Sequence, residues 1–410
     1  MRAFVVAWLW CASCGRFGFS SEHDGGGPGD GNSGDSGAMT DGITDGQPDA
    51  LVDGSPDAAS RVPCGNPLAR VTTTGNAHAP TLIWNGSGYA VAWAEGTPSA
   101  RFVRFDTSGL PVGSETIVSG SSANLVQPGL AWNGSGYAMV WSEGQNPSVR
   151  FQLLTTTGAT SGMALRISPQ ATNSLTSLEM VYAATQYAFV WVADDALMFG
   201  RVDTAGAALG TNLAITSQLL GDPGHSLLWD GTNFWLEYTA HDVGSCPGFS
   251  WSIVHDRIDA MGTMQSTHTV DQWSAIGFSV CGEHVAVSTA KSSSGFADGY
   301  YRYDGQGGAG SLGVLDSGGV SQTNVPISGT ASSPAVASSG SDYGTVWIDG
   351  TDLVFVRHSL AGVAMTPEYR IASGGVSSPA VVWNGTNYAI TWVDTRDSTG
   401  GEIYFSLACP

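Results

Sequence analysis

Beyond residue 63, apolar and polar positions alternate in short runs that break at Asn-Gly or Asp-x-x-Gly, and no stretch holds a helical period. The clearest runs frame a recurring phrase: WNGSGYAVAW at 84–93, WNGSGYAMVW at 132–141 and WNGTNYAITW at 383–392. An apolar strand ends on the first Trp, Asn-Gly and two small residues turn the chain, and Tyr89 to Trp93 forms a second strand. Asn-Gly between β-prone runs signals a hairpin because both residues tolerate positive φ. Weaker copies stand at 182–191 (YAATQYAFVW), 229–238 (WDGTNFWLEY) and 338–347 (SSGSDYGTVW), and by its place a seventh is 279–288 (SVCGEHVAVS). Their closing residues, 93, 141, 191, 238, 288, 347 and 392, recur about every fifty positions, the mark of a repeated supersecondary unit. A third strand ends in a second turn such as Asp106-Thr-Ser-Gly109, Asp203-Thr-Ala-Gly206 or Asp259-Ala-Met-Gly262, and a more polar fourth strand completes the unit. Seven units of four antiparallel strands predict an all-β chain folded as a single seven-bladed β-propeller over residues 63–410.

The two ends of the repeat complement each other. The last phrase is followed by one further strand, Glu402 to Ala408, which leaves its blade a strand short. Leu68 to Thr72 precedes the first phrase, where a fourth strand belongs, so it is expected to complete the final blade and close the ring. Cys64 and Cys409 flank these antiparallel neighbours, a placement suited to a disulfide in an exported protein.

Composition adds an address and a tether. Arg2, the apolar run Ala3 to Trp10 and the string CASC at 11–14 are the parts of a secretory signal. They fit a lipoprotein-type signal peptide over 1–13, with Cys14 as the residue to be lipidated. Residues 14–62, rich in Gly, Asp, Ser and Pro, read as a disordered, self-repelling tether. Asp41, Asp45, Asp49, Asp53 and Asp57 recur every fourth residue, a spacing unlike the alternate-residue acids of a calcium loop. The net charge of −20 and a single lysine, Lys291, exclude nucleic acid and a polybasic membrane patch as partners. The phrase WNGxxYxxxW, the D-x-x-G turn and the leader together resemble the propeller-repeat surface lipoproteins of myxobacteria and related bacteria. That resemblance implies an exported, lipid-anchored propeller on a bacterial envelope, and it carries no catalytic residues over.

Candidate chemistry is sparse. An acid recurs after the closing aromatic (Glu95, Glu143, Asp194, Asp349, Asp394), and an arginine follows in the third strand (Arg101 or Arg104, Arg150, Arg201, Arg357). The expected use is a structural ion pair copied with each blade; a calcium-binding ring is the sharper alternative, and no cofactor is expected. The strings GDSG at 34–37 and DSGG at 316–319 lack the context of a serine protease. Residues 222–300 break the rhythm, with five histidines and an insertion at 242–250. A non-repeated loop on a repeated frame is the expected place for a specific site. The candidate binding residues there are His241, Asp242, Trp251, His255, Trp273, His284 and Lys291, with Cys246–Cys281 as a second expected disulfide. The leading function is a monomeric, non-enzymatic binding module for an envelope glycan or protein. The alternatives are a glycan-active hydrolase or lyase at the channel mouth, and a purely structural envelope protein.

Overall fold

The computed structural model of the chain describes residues 69–409 apart from 97–98, 120–126, 144–147, 170–174, 195, 217–223, 242–248, 276–286, 304–307 and 398–399. The leader, Cys14, the tether, Cys64, Asp242, Cys246, Cys281 and His284 lie outside the described residues. The rest forms seven four-stranded antiparallel sheets, each in simple sequential order except the last. Blade one runs Ala77–Trp84, Tyr89–Glu95, Ser99–Phe105 and Pro111–Ser119 from the axis outward. Every residue of its second strand is buried, whereas its fourth strand is largely exposed. That gradient matches the apolar phrase and the polar strand that follows it.

The turns explain the two recurrent motifs. Asn85 Oδ1 accepts hydrogen bonds from the backbone of Ser87 at 2.9 Å and Gly88 at 2.8 Å, while Gly86 takes a φ of 94° that a side chain rarely adopts. Asp106 Oδ1 accepts from Ser108 and Leu110, each at 2.9 Å, in the second turn. Its Gly109 rests on the neighbouring blade, where an added Cβ would meet Phe405 at 2.5 Å. The DSGG string is the same turn in blade five, with Asp316 Oδ1 accepting from Gly318 at 2.8 Å and Val320 at 3.0 Å.

Asn and Tyr of the phrase also join one blade to the next. Asn85 Nδ2 donates to Tyr137 Oη at 2.6 Å, Asn133 Nδ2 to Tyr187 Oη at 2.8 Å, and Asn384 to Tyr89 across the closure. Tyr343 Oη donates to Ser292 Oγ at 2.8 Å and Tyr388 Oη to Asp342 Oδ1 at 2.5 Å. Blades four and five carry Phe234 and Phe296 at this position and have no hydroxyl to offer. Tyr137→Phe is therefore expected to cost about 1 kcal/mol, measured by urea unfolding, because it leaves the Asn85 amide without that acceptor.

Blade five corrects the seventh phrase. Its innermost strand is Val287–Lys291, its turn is Ser292 to Gly295, and its second strand is Gly295–Tyr303. The counterparts of Tyr89 and Trp93 are Phe296 and Tyr300, so the closing residue is 300 and not 288. The cause lies upstream: the last two strands of blade four, Phe249–Asp259 and Met264–Ala275, are 11 and 12 residues long and displace the count.

Ring closure follows the expected route. Ala69–Arg70 pairs antiparallel with Glu402–Ala408, Ala69 opposite Phe405 and Arg70 opposite Tyr404. Glu402 is fully buried and gathers Arg70, Thr72 and the Gly75 amide, the last at 2.7 Å. Cys409 is disulfide-bonded.

The acid–arginine pairs hold in only some blades. Glu95 meets Arg101 at 3.8 Å and Glu143 meets Arg150 at 3.1 Å. Arg201 instead reaches the Ala260 carbonyl of the next blade at 2.8 Å, Arg357 pairs with Asp342, and Asp394 pairs with Arg396. In blades one and seven this acid caps the closing indole, Glu95 for Trp93 at 3.0 Å and Asp394 for Trp392 at 3.2 Å, whereas the indoles of Trp141 and Trp347 have no hydrogen-bond partner among the described residues.

His358 occupies a place that other blades give to Phe105, Leu154 or Ile258. Burial lowers its pKa from 6.5 to about 4. The neutral ring is favoured in the fold, so stability is full above pH 6.5 and is lost as pH falls towards about 4. His358→Leu is expected to flatten that acid limb in urea-unfolding midpoints taken from pH 7 to pH 4, while a parallel limb in both proteins would contradict the assignment.

Candidate functional site

The innermost strands of all seven blades surround a central channel with a cavity of about 680 Å³. Equivalent positions on its wall, each paired to the middle of the second strand, are Thr81, Gly129, Glu179, Ser226, Ser288, Ala335 and Ala380. An innermost strand presents an unpaired edge to its neighbours, and the polar side chains of this series partner it. Thr81 donates to the Pro128 carbonyl at 2.6 Å, Ser226 Oγ accepts from Thr289 N at 3.2 Å, and Ser288 Oγ accepts from Val336 N at 3.1 Å.

Glu179 breaks this series of small residues. Its Oε2 accepts from Leu227 N at 2.8 Å, and burial pushes its carboxyl up to about 8, so it is protonated at neutral pH. Among the described residues lining the channel it is the one carboxylate, and His225 is the one imidazole.

One strand behind the wall, the boundary between blades four and five holds a polar cluster where the repeat elsewhere places apolar side chains. The pair Ala92–Phe102 of blade one becomes Val140–Phe151, Val190–Phe199 and Val346–Phe355 in other blades, but Glu237–His255 in blade four. The turn glycines confirm the equivalence: Gly158 packs on Phe102, Gly206 on Phe151, and Gly319 of the DSGG turn on Trp235 and His255. From blade five comes Asp298, at the place of Val91, Met139 and Phe189. Glu237, His255 and Asp298 are all fully buried, and one ligand-capable atom from each lies within 4.8 Å of the others. His255 Nδ1 and Asp298 Oδ2 approach to 3.4 Å, and the channel-lining Thr289 donates to Asp298 Oδ1 at 2.6 Å. Among the described residues, neither oxygen of Glu237 and neither ring nitrogen of His255 has a hydrogen-bond partner outside this cluster. Desolvation, joined by the nearby Asp298 and Glu179, holds the Glu237 carboxyl well above the usual range.

The residues singled out in the sequence fall in three places. His241, Trp251 and Trp273 form one cross-strand row in blade four, at the end where the second and third strands connect. His255 belongs to the buried blade boundary, between the rings of Trp235 and Phe296 at centroid distances of 5.0 and 5.1 Å. Lys291 ends the innermost strand of blade five and donates to the Asp230 carbonyl in the turn of blade four at 3.1 Å. Sequence reasoning missed Glu179, Glu237 and Asp298. The signal that reveals them is the repeat itself, once blade five is set in register and each acid stands in a column of small or apolar residues.

No family model matches the chain, and no curated protein matches it. Several solved structures resemble it. The SapL1 lectin in complex with α-methyl fucoside shares 12% identity over 72% of this chain and 97% of its own, with a TM-score of 0.45. The Dos1 propeller shares 9% over 81% of this chain and 82% of its own, at 0.48. The β-propeller domain of Cps50 (Swd1) from Myceliophteria thermophila shares 12% over 83% of this chain and 99% of its own, at 0.49.

Proposed function

We propose that this propeller is an envelope-anchored, non-enzymatic binding module whose ligand, a glycan or envelope protein, engages the central channel and the blade-four rim. The observation that carries this reading is the asymmetric channel wall. Thr81, Gln127, Ser226, Ser288 and Ser332 line one cavity with hydroxyl and amide groups, of which Ser226 and Ser288 accept from the next blade and keep their own O–H to donate, and Glu179 and His225 mark one side of it. Directional donors and acceptors on a rigid concave wall suit a polyhydroxylated ligand, because each hydrogen bond is made without ordering the frame. The cross-strand row of His241, Trp251 and Trp273 supplies the non-repeated rim of blade four.

A glycan-cleaving enzyme is the second reading, favoured by Glu179, whose proton at neutral pH suits a general acid. Glycoside hydrolysis ordinarily needs a second carboxylate facing the same substrate. The nearby candidates Glu237 and Asp298 are sealed from solvent, so binding leads. The test is a panel of glycans and envelope proteins presented to residues 63–410 and to Glu179→Gln. Retained ligand that is released unaltered supports the binding module; turnover that Glu179→Gln abolishes overturns it in favour of the enzyme. The anchor is tested separately in a bacterial host. Cys14→Ser is expected to move the protein from the membrane fraction to the soluble one, and unchanged membrane association contradicts lipidation at that residue.

A further inference from the structure

We infer that Glu237, His255 and Asp298 form a buried divalent-metal site, best suited to Zn²⁺, that clamps blade four to blade five. Three observations converge on it. Ligand-capable atoms of all three side chains lie within 4.8 Å of one another in a place closed to solvent. Among the described residues, the Glu237 oxygens, the His255 ring nitrogens and Asp298 Oδ2 have no hydrogen-bond partner outside the cluster, although buried polar atoms are costly to leave unpaired. The same blade boundary lacks the tyrosine tie, because Phe296, like Phe234 one blade earlier, stands where five blades have the tyrosine that bonds the preceding turn.

The chemistry of the donors selects the ion. Two carboxylates balance the charge of one divalent cation, so the loaded site is neutral, as a buried site must nearly be. One imidazole nitrogen and two carboxylate oxygens are ordinary Zn²⁺ ligands, which lie roughly 3.3 Å apart around a tetrahedral ion. The approach of His255 Nδ1 to Asp298 Oδ2, at 3.4 Å, already has that spacing. Ca²⁺ asks for six to eight oxygens and Mg²⁺ for an octahedral, largely hydrated shell, and neither fits a dry pocket with an imidazole in it. A water would take the fourth position, as in zinc sites with three protein ligands. The competing arrangement is metal-free, with a proton held between Glu237 and Asp298.

The experiment refolds the full chain from urea with and without Zn²⁺, dialyses it, and measures bound metal and melting temperature. Co²⁺ in place of Zn²⁺ reports the coordination by its visible absorption. The repeat supplies the control, E237V/H255F/D298V, which restores residues found at these positions in other blades, and Asp298→Asn is a nearly isosteric second variant. The expected result is one tightly held equivalent of Zn²⁺ in the natural protein, a rise in melting temperature on the order of 5 °C, and a tetrahedral Co²⁺ spectrum. Both variants are expected to lose that equivalent, the spectrum and the thermal shift. A folded natural protein whose melting is indifferent to Zn²⁺, or a variant that keeps the equivalent, overturns the site and leaves the shared proton.

Discussion

Replacing Glu402 with alanine is expected to lower the unfolding free energy by about 3 kcal/mol, read from urea titrations followed by tryptophan fluorescence. The residue is fully buried and gathers the side-chain hydrogen bonds that tie the amino-terminal segment to the last strand. Its oxygens accept from Thr72, from the Gly75 amide and from Arg70, all on the amino-terminal segment. Hydrogen bonds to a charged group are worth more than neutral ones, and removing the acceptor leaves the Gly75 amide unpaired. Thr72 also accepts from Ile403 N at 2.9 Å, so the loss spreads to the last strand. Glu402→Gln preserves an acceptor oxygen and is expected to cost less than half as much. Equal stability of Glu402→Ala and the natural protein would mean that the two-residue strand Ala69–Arg70 does not hold the ring shut.

The second large effect has the opposite sign. In a chelator, E237V/H255F/D298V is expected to be more stable than the natural protein by about 1–4 kcal/mol, because buried charged triads replaced by packed apolar groups of similar volume commonly gain stability. Val140, Phe151 and Met139 show that the same positions accept apolar side chains in blade two. Asp298→Ala alone is expected to lose about 3–5 kcal/mol, since it strips Thr289 of its acceptor and leaves His255 beside Glu237 without the third group. Midpoints in guanidinium chloride at constant slope separate the two cases. Such a sign difference is diagnostic: a cluster that served only to hold the core together would be weakened by both changes.

How much was legible in the chain follows from what each residue needs. The Asn-Gly and Asp-x-x-Gly turns are local, so their strands could be read from the sequence, as could the closing strand at Ala69–Arg70. The DSGG string yields to the same logic, since Asp316 does in blade five what Asp106 does in blade one. Blade five itself was misplaced by twelve residues because its phrase has lost both markers: Lys291-Ser292 stands for Trp-Asn and Phe296 for Tyr. The long hairpin of blade four then carried the count past it. Partners across blades were beyond sequence reading. Arg201 faces the turn of the next blade, a choice that depends on packing between sheets, whereas Arg357 takes Asp342 on the adjacent strand of its own blade in place of the expected acid. The cluster of Glu237, His255 and Asp298 stayed hidden for the same reason, since it joins two blades and becomes an anomaly only when their registers are known.

The claim that function resides where the repeat is broken, at the channel and the blade-four rim, is tested most directly by one affinity comparison. The tightest ligand from the glycan and envelope-protein panel is titrated against the natural protein, against Ser332→Trp, which fills the channel from blade six, and against a chain lacking residues 242–250. At least a tenfold loss in Ser332→Trp, with a further loss on removing the insertion, is the expected result. Affinity unchanged in both variants would contradict the account and move the binding surface to the outer strands.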